Sequence, residues 1–223
     1  MNKELIKKGL IKYLAGLVIT LVPVFLPAGT FRYTQGWIFI AALFIPMLIM
    51  GIVLAVKNPV LLQKRLNGKE KENTQKGVVL ASIVMFLAGF ILAGLSFRFG
   101  WLTLPMGVSI GAAVVFLAGY AMYAEVLREN EYLSRTVEVQ DEQKVIDTGL
   151  YGVIRHPMYT ATILMFLSIP LILGSLISFA VFLAYPVIIL TRIGNEEKVL
   201  EQGLKGYTEY KQRVKFRLIP FIW

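Results

Sequence analysis

The sequence predicts an all-α polytopic membrane protein, and three observations support this fold class. The chain has 223 residues, of which 57% are hydrophobic and only 17% are charged, whereas soluble domains are about 45–50% apolar. Four apolar stretches are long enough to cross the roughly 30 Å hydrocarbon core of a bilayer. Loops rich in Lys and Arg alternate along the chain with loops that hold almost none, which is typical of multi-pass proteins.

Each predicted spanning helix is a run of apolar residues bounded by polar or turn-forming residues. Their approximate bounds are 13–29, 36–56, 77–97 and 104–124. A fifth apolar region, 158–190, is too long for one crossing, and Gly174 and Ser175 divide it. We therefore expect a membrane hairpin of two shorter helices that begins and ends on the same side.

Two of the predicted helices carry pairs of small residues spaced four apart. Gly107 and Gly111 form such a step on the fourth helix, and Gly89 and Ala93 form one on the third. Small residues at this spacing let helix backbones approach closely in lipid. We expect both steps to lie at helix–helix contacts.

The net charge is +9, and the basic residues are distributed along the chain as the predicted topology requires. Of the 23 Lys and Arg residues, 21 lie in four segments on one side, and the other two are Arg32 and Arg98. The four segments are the N-terminus through Lys12, 57–76, 128–155 and the tail from Arg192. We expect these segments and both termini to be cytoplasmic, with the protein in the cell inner membrane. The excess basic charge then faces lipid headgroups, so a nucleic-acid partner is not predicted, and no obligate protein partner is evident.

Polarity divides the chain into two predicted parts. Residues 1–124 are almost entirely apolar and form a transmembrane scaffold, whereas eleven of the fourteen acidic residues fall in 125–223. The second part contains a polar linker, the hairpin and a C-terminal tail, and we expect it to be the catalytic half. The chain has no cysteine, which excludes disulfides and thiolate chemistry.

The segment GLYGVIRHPMYTA, residues 149–161, holds the only histidine of the chain at the mouth of the hairpin. Pro157 fits the first turn of a helix, which places His156 near the N-cap, where its ring would meet unpaired backbone N–H groups. A lone histidine excludes the common multi-histidine zinc sites, and we expect no metal. Arg155 is interpreted as a basic anchor at the membrane surface.

The tail RIGNEEKVLEQG, residues 192–203, reads as a helix that leaves the membrane. Arg192 and Glu196 are four residues apart and share one helix face, and Gly203 and Gly206 should end the helix. If 158–190 is a hairpin, its two ends meet at one boundary. His156, Pro157 and Tyr159 should then lie beside Arg192 and Glu196.

These motifs together resemble the isoprenylcysteine carboxyl methyltransferase family, to which the phospholipid N-methyltransferases are related. The resemblance covers about residues 132–221 and rests on KVIDTGLYGVIRHPMYTA, the hairpin, and RIGNEEKVLEQGLKGYTEYKQRVKFRLIP. It implies S-adenosylmethionine as the methyl donor and S-adenosylhomocysteine as the product. The donor would bind in a pocket formed by the hairpin and the cytoplasmic segments.

The resemblance also implies site residues. Arg192 and Glu196 are the catalytic candidates; Arg192 would bind the acceptor and Glu196 the ammonium of the donor. The implied cofactor contacts are Gln143, Lys144, Val145, Ile146, Tyr151, His156, Pro157, Met158, Tyr159 and Glu196. The acceptor would be lipophilic, would enter sideways from the bilayer, and would present a carboxylate to Arg192.

Three alternatives stay open from the sequence. An amine acceptor would need a base, for which Glu197 and His156 are candidates. An NADPH-dependent sterol-type reductase has a similar outline in its C-terminal region, although the acidic run 138–147 disfavours the 2′-phosphate of NADPH. A non-enzymatic scaffold or transporter is disfavoured because the apolar spans carry almost no ionisable residues.

Overall fold

The protein is described here from a computed structural model, which covers residues 3–66, 73–133, 137 and 139–223. The described residues are helical, with no strand among them, as the fold-class prediction requires. The helices are α1 Lys3–Ala28, α2 Thr34–Lys57, α3 Pro59–Leu66, α4 Asn73–Phe99, α5 Met106–Glu129, α6 Pro157–Ile172, α7 Leu176–Phe182, α8 Ala184–Gly203 and α9 Tyr207–Arg213, with a short 3-10 turn at Gly149–Gly152.

The four predicted spans are confirmed, and each helix extends beyond the apolar run that predicted it at one end or at both. Within the described chain, α1, α2, α4 and α5 are each long and apolar enough to cross a membrane, and a fifth such segment is Leu176–Gly203. Helix α3, a short helix with Lys64 and Arg65 in its last turn, was not predicted. The protein is an integral, multi-pass membrane protein.

The predicted hairpin is present and reaches the far end of the bundle. Helix α6 ends at Ile172, and Gly174 turns the chain with a φ of 68°. The tip is held by backbone hydrogen bonds of 2.9 Å from Leu104 N to Gly174 O and 3.1 Å from Leu176 N to Leu102 O. Because residues 102–104 form the connection between α4 and α5, the hairpin crosses the same thickness as its neighbours.

Helix packing buries the predicted pair Gly89 and Ala93 and leaves the predicted pair Gly107 and Gly111 without neighbours. A Cβ placed on Gly89 would lie 2.3 Å from the ring of Phe182, and Ala93 is fully buried, so this step is confirmed as a contact between α4 and α7. The expectation for Gly107 and Gly111 is wrong, because a Cβ on either would have no neighbour within 4 Å. Helix α5 instead contacts α6 through another face, where Gly119 lies against Met165.

A small polar cap covers one end of the bundle, where α5 ends, α6 begins and α8 leaves the apolar layer. The chain turns out of α8 at Gly203, and Gly206, with a φ of 86°, precedes α9, so the predicted break is confirmed. The cap has its own apolar core, separate from the main one, made of Leu204, Tyr207, Tyr210 and Val214 with Val139, Val145 and Leu200 packed against it. This core forms the floor on which the polar pocket rests.

Candidate active site

A pocket opens at the boundary between the bundle and the polar cap. It is lined by the ends of α5, α6 and α8, by the segment 143–146 and by α9. Its walls contain Asn130, Tyr132, Leu133, Val137, Gln143, Lys144, Val145, Ile146, Tyr151, Arg155, His156, Met158, Tyr159, Arg192, Glu196, Leu200, Leu204, Tyr207 and Tyr210. Groups distant in sequence therefore meet in one cavity where apolar helices give way to polar segments.

Tyr159 joins the two residues of α8 that the sequence singled out. Its hydroxyl donates a short hydrogen bond to Glu196 Oε2 and accepts one of 2.9 Å from Arg192 Nε. The tyrosine side chain is buried, whereas Arg192 and Glu196 remain partly exposed to the cavity. The phenol of Tyr159 therefore holds the Glu196 carboxylate beside the Arg192 guanidinium, and both of these residues line the pocket.

Glu197, one residue further along α8, has a different environment. Its side chain is 4% exposed, and Oε1 lies 2.9 Å from Arg155 Nε and 3.1 Å from His156 Nε2. Its Oε2 lies 3.0 Å from Arg217 NH2. Glu197 is not among the pocket-lining residues, and it ties α8 to the start of α6 and to the C-terminal segment.

The interpretation of Arg155 as a surface anchor is wrong. Arg155 is 7% exposed, and besides Glu197 it donates from NH1 to the carbonyls of Val214 and Lys215 at 2.7 and 2.8 Å. Arg155 thus makes four contacts, one with Glu197 and three with residues 214–216, the last being the backbone bond from Arg155 N to Phe216 O at 2.9 Å. These contacts fasten the C-terminal tail to the mouth of the hairpin. Burial of a guanidinium requires such partners.

His156 is the N-cap residue of α6 and Pro157 its first residue, as predicted. The ring, however, makes no capping hydrogen bond to the helix; its Nε2 faces Glu197 instead. The backbone N–H of His156 donates to Arg217 O at 2.9 Å. The imidazole is therefore positioned by the ion-pair cluster behind the pocket while its ring lines the pocket wall.

The 3-10 turn at Gly149–Gly152 holds Tyr151 against the pocket. Tyr151 accepts a 2.9 Å hydrogen bond from Asn130 Nδ2 on its hydroxyl, and its backbone oxygen accepts one of 2.8 Å from Tyr210. Gly149 has a φ of 51°, and a Cβ there would lie 1.5 Å from Glu129 Oε1. Only glycine fits this position, because Glu129 also accepts a hydrogen bond from Leu150 N at 3.2 Å.

The segment that carries Gln143 to Ile146 runs along the cavity without helix or strand. Gln143 Oε1 accepts a 2.9 Å hydrogen bond from Gln140 N, so this side chain supports the turn before the segment. Val145 belongs to the apolar core of the cap. Glu138, the first residue of the acidic run, lies outside the described residues.

Several pocket residues were not singled out from the sequence. Asn130, Leu200, Leu204, Tyr207 and Tyr210 all line the cavity. The two tyrosines lie in the run G-x-x-G-Y-x-x-Y, whose tyrosine spacing of three puts both on one helix face, and this was the available signal. Asn130 directly follows α5, and nothing local in the sequence distinguishes it.

Three tyrosines around the cavity are held in the neutral form. Burial raises the pKa of Tyr151, Tyr207 and Tyr210 well above the ordinary value. The negative charges of Glu197 and Glu196 raise the pKa of Tyr207 further. These phenols keep their protons at neutral pH and are not available as bases.

The described residues contain no group of three or more His, Cys, Asp or Glu side chains that could hold a metal ion. Together, the fold and the site define a multi-pass membrane protein with a polar, aromatic-walled pocket at one end of its bundle. The residues that line the pocket include one carboxylate, two guanidinium groups, one lysine and several tyrosines.

Comparison with known proteins finds a family model that is similar to part of this chain. The sequence profile of the isoprenylcysteine carboxyl methyltransferase family matches residues 111–202, from the middle of α5 to the end of α8. The predicted resemblance is confirmed for this segment, which makes up less than half of the chain. The profile begins earlier than the motifs that carried the resemblance and ends before α9.

A second similar protein is named for a different activity. A Delta(14)-sterol reductase from Mus musculus is 26% identical over 91 residues, which are 40% of this chain and 22% of the reductase. The chain thus matches about a fifth of the length of that protein. The matched segment is short, and the similarity concerns that segment alone.

Proposed function

We propose that this protein is an S-adenosylmethionine-dependent methyltransferase that acts on a lipophilic acceptor, with a carboxylate as the accepting group. The observation that carries the proposal is the Arg192–Tyr159–Glu196 arrangement in a pocket at the end of the membrane bundle. The family match supports the reaction class. The nature of the pocket walls supports the choice of donor.

The residues of the pocket fit S-adenosylmethionine. Glu196 offers a carboxylate for the ammonium of the donor through a charge-assisted hydrogen bond. Tyrosine rings attract a sulfonium by about 0.5–2 kcal/mol, and the aliphatic walls suit an adenine ring. The cavity-lining residues that would hold the donor are Gln143, Lys144, Val145, Ile146, Tyr151, His156, Met158, Tyr159 and Glu196. Pro157, which the resemblance also implied, is the buried first residue of α6 and is not among the described residues that line the cavity.

The protein's own contribution is orientation and exclusion of water. S-Adenosylmethionine supplies a methyl group on a sulfonium, whose sulfur keeps both electrons of the broken C–S bond, so a carboxylate acceptor needs no base. Arg192 would hold that carboxylate through its planar fork. Tyr159 fixes Arg192 and Glu196 relative to each other, so acceptor and donor would be aligned by one rigid unit.

An amine acceptor fits the site less well. Glu197 was a candidate base, but its oxygens are taken by Arg155, His156 and Arg217. His156 faces the same carboxylate through Nε2. Phospholipid N-methylation would need a proton acceptor beside the nucleophile, and neither group is available without breaking the cluster.

The sterol reductase relative favours an NADPH-dependent reductase as a second candidate. Lys144 and Arg192 line the cavity and could face a phosphate. Glu196 opposes this assignment because a carboxylate in the pocket repels the phosphates of a dinucleotide. A carboxylate suits an ammonium, which S-adenosylmethionine has and NADPH lacks.

The proposed placement in the cell follows the charge distribution. The pocket lies on the side where the segments rich in Lys and Arg emerge, and we infer that this side is cytoplasmic. The donor would enter from the cytoplasm and the acceptor from the bilayer. The inner membrane is the proposed location.

Two matched variants on α8 test the proposal by calorimetry with detergent-purified protein. Glu196→Ala should weaken S-adenosylmethionine binding at least about 50-fold, because the ammonium loses a charged partner. Glu201→Ala, which removes an exposed carboxylate paired with Lys211, should leave binding unchanged. Equal affinities of wild-type and Glu196→Ala protein would contradict the assigned role of Glu196.

A further inference from the structure

Tyr207 has a hydroxyl group that the rest of the described protein does not use. It is the first residue of α9, is 4% exposed, and lines the pocket. Among the described residues its hydroxyl oxygen is buried and has no hydrogen-bond partner. Two other buried side-chain atoms share this condition, Ser109 Oγ and Asn195 Nδ2, but neither residue lines the pocket.

A buried hydroxyl without a hydrogen-bond partner is a candidate contact for a ligand. Burying a polar group without a partner costs about 1–3 kcal/mol, and such groups in folded proteins usually mark a bound molecule or a functional role. Tyr210, on the same helix face, shows that partners are available locally, because it donates to Tyr151 O at 2.8 Å. Tyr207 thus differs from Tyr210, because no described residue satisfies its hydroxyl.

The chemistry of Tyr207 limits what it can bind. Because its pKa is raised by burial and by the charges of Glu197 and Glu196, it is a neutral donor of one hydrogen bond. Both nearby carboxylates already accept hydrogen bonds, Glu196 from Tyr159 and Glu197 from Arg155. The matching ligand group is an acceptor, and an anionic acceptor forms the stronger bond.

We propose that Tyr207 donates its hydroxyl proton in a hydrogen bond to the carboxylate of the amino-acid end of S-adenosylmethionine. This inference rests on the proposed function, in which Glu196 binds the ammonium of that same end. An amino acid carries its ammonium and carboxylate on one carbon atom, so the two protein partners must lie close together. Tyr207 and Glu196 both line one cavity, and the charge of Glu196 raises the pKa of Tyr207.

Glu196 and Tyr207 recognise different chemical groups of the donor. Glu196 recognises the ammonium, whereas Tyr207 recognises the carboxylate without adding a positive charge that would weaken the hold of Glu196 on the ammonium. Together they would select a zwitterionic amino-acid end over a plain nucleoside. Tyr207 is thus a binding and specificity-determining residue for the donor.

The test compares two ligands that differ by one group. Wild-type and Tyr207→Phe proteins are titrated calorimetrically with S-adenosylmethionine and with decarboxylated S-adenosylmethionine, which retains the ammonium and lacks the carboxylate. Tyr207→Phe should lose about tenfold in affinity for S-adenosylmethionine and less than about twofold for the decarboxylated ligand. Its thermal midpoint without ligand should be equal to or above that of the wild type.

Each other outcome has a definite meaning. Unchanged affinity of Tyr207→Phe for S-adenosylmethionine would overturn the inference and leave the proposed function standing. Equal losses for both ligands would assign Tyr207 to the adenosine part and overturn the inference as well. Wild-type protein that binds neither ligand would contradict the proposed function itself, and the inference would fall with it. Tyr33→Phe, which removes a buried hydroxyl at the far end of the bundle, should bind both ligands as the wild type does.

Discussion

Buried tyrosines lie at both ends of the helical bundle, and they are used in opposite ways. At the end away from the pocket, Tyr33 donates a short hydrogen bond to Leu173 O at the hairpin tip, and Ser175 donates to Ser96 Oγ at 2.8 Å. At the pocket end, Tyr159 holds charged groups and Tyr207 has no partner among the described residues. Polar groups at the first end hold the fold together, and those at the second end also leave donors for a ligand.

The same contrast divides two adjacent glutamates. Glu197 is surrounded by Arg155, His156 and Arg217 and lies behind the pocket. Glu196 contacts Tyr159 and faces the cavity. Consecutive helix residues point about 100° apart, so one carboxylate can serve the structure while its neighbour serves the site.

The largest expected effect is on stability, from Glu197→Ala. Removing this carboxylate leaves Arg155 buried without its ion-pair partner, which should lower the free energy of unfolding by about 3–5 kcal/mol. Unfolding in mixed detergent micelles measures the change. Glu201→Ala, which breaks an exposed pair with Lys211, should cost less than about 1 kcal/mol. A small loss in both variants would remove the distinction between the cluster and the surface.

Arg192→Ala should separate binding from turnover. We expect it to bind S-adenosylmethionine within about threefold of wild type and to lose at least about 100-fold in methyl transfer, because the acceptor is no longer oriented. Transfer of tritiated methyl to N-acetyl-S-farnesylcysteine measures turnover, and phosphatidylethanolamine is the matched amine acceptor. Arg192→Lys should restore only part of the rate, since it lacks the planar fork. Equal loss of binding in Arg192→Ala and Glu196→Ala would contradict this division of roles.

Gly149→Ala should destabilise the pocket wall. Its φ of 51° costs a residue with a Cβ about 1–2 kcal/mol, and the Cβ would collide with Glu129. The thermal midpoint should fall. Gly107→Ala is the control, because open space surrounds that helical glycine; it should leave the midpoint equal or slightly raised. A Gly149→Ala protein as stable as wild type would contradict the described turn.

Tyr33→Phe has the smallest expected effect. It should cost about 1 kcal/mol of stability, the usual net value of one hydrogen bond, with no change in S-adenosylmethionine affinity. A thermal melt and a calorimetric titration on the same preparation give both values. A loss of ligand affinity in this variant would show that the two ends of the bundle are not independent.

Much of the fold follows from the sequence alone. Apolar runs predict α1, α2, α4 and α5, and Gly174 marks the hairpin turn because a tight reversal between apolar helices needs a positive φ. Gly206, which follows α8 and also has a positive φ, marks the turn into α9 for the same reason. Helix α3 escaped prediction because eight residues give too short a pattern.

The candidate site could be predicted only in part. The spacing of Arg192 and Glu196 and the position of Tyr159 at the mouth of the hairpin point to one boundary. The separate roles of Glu196 and Glu197 depend on partners about 40 residues away, which no local pattern reveals. Arg155 was misread for that reason: a sequence gives the sign of a charge but not what neutralises it. The division of the chain at residue 124 stays a prediction.

The most direct test of the central claim is a calorimetric titration of the wild-type protein with S-adenosylmethionine and, separately, with NADPH. A pocket that holds a carboxylate for an ammonium should bind S-adenosylmethionine in the micromolar range and give no heat with NADPH. Binding of NADPH without binding of S-adenosylmethionine would contradict the proposed methyltransferase and favour the reductase.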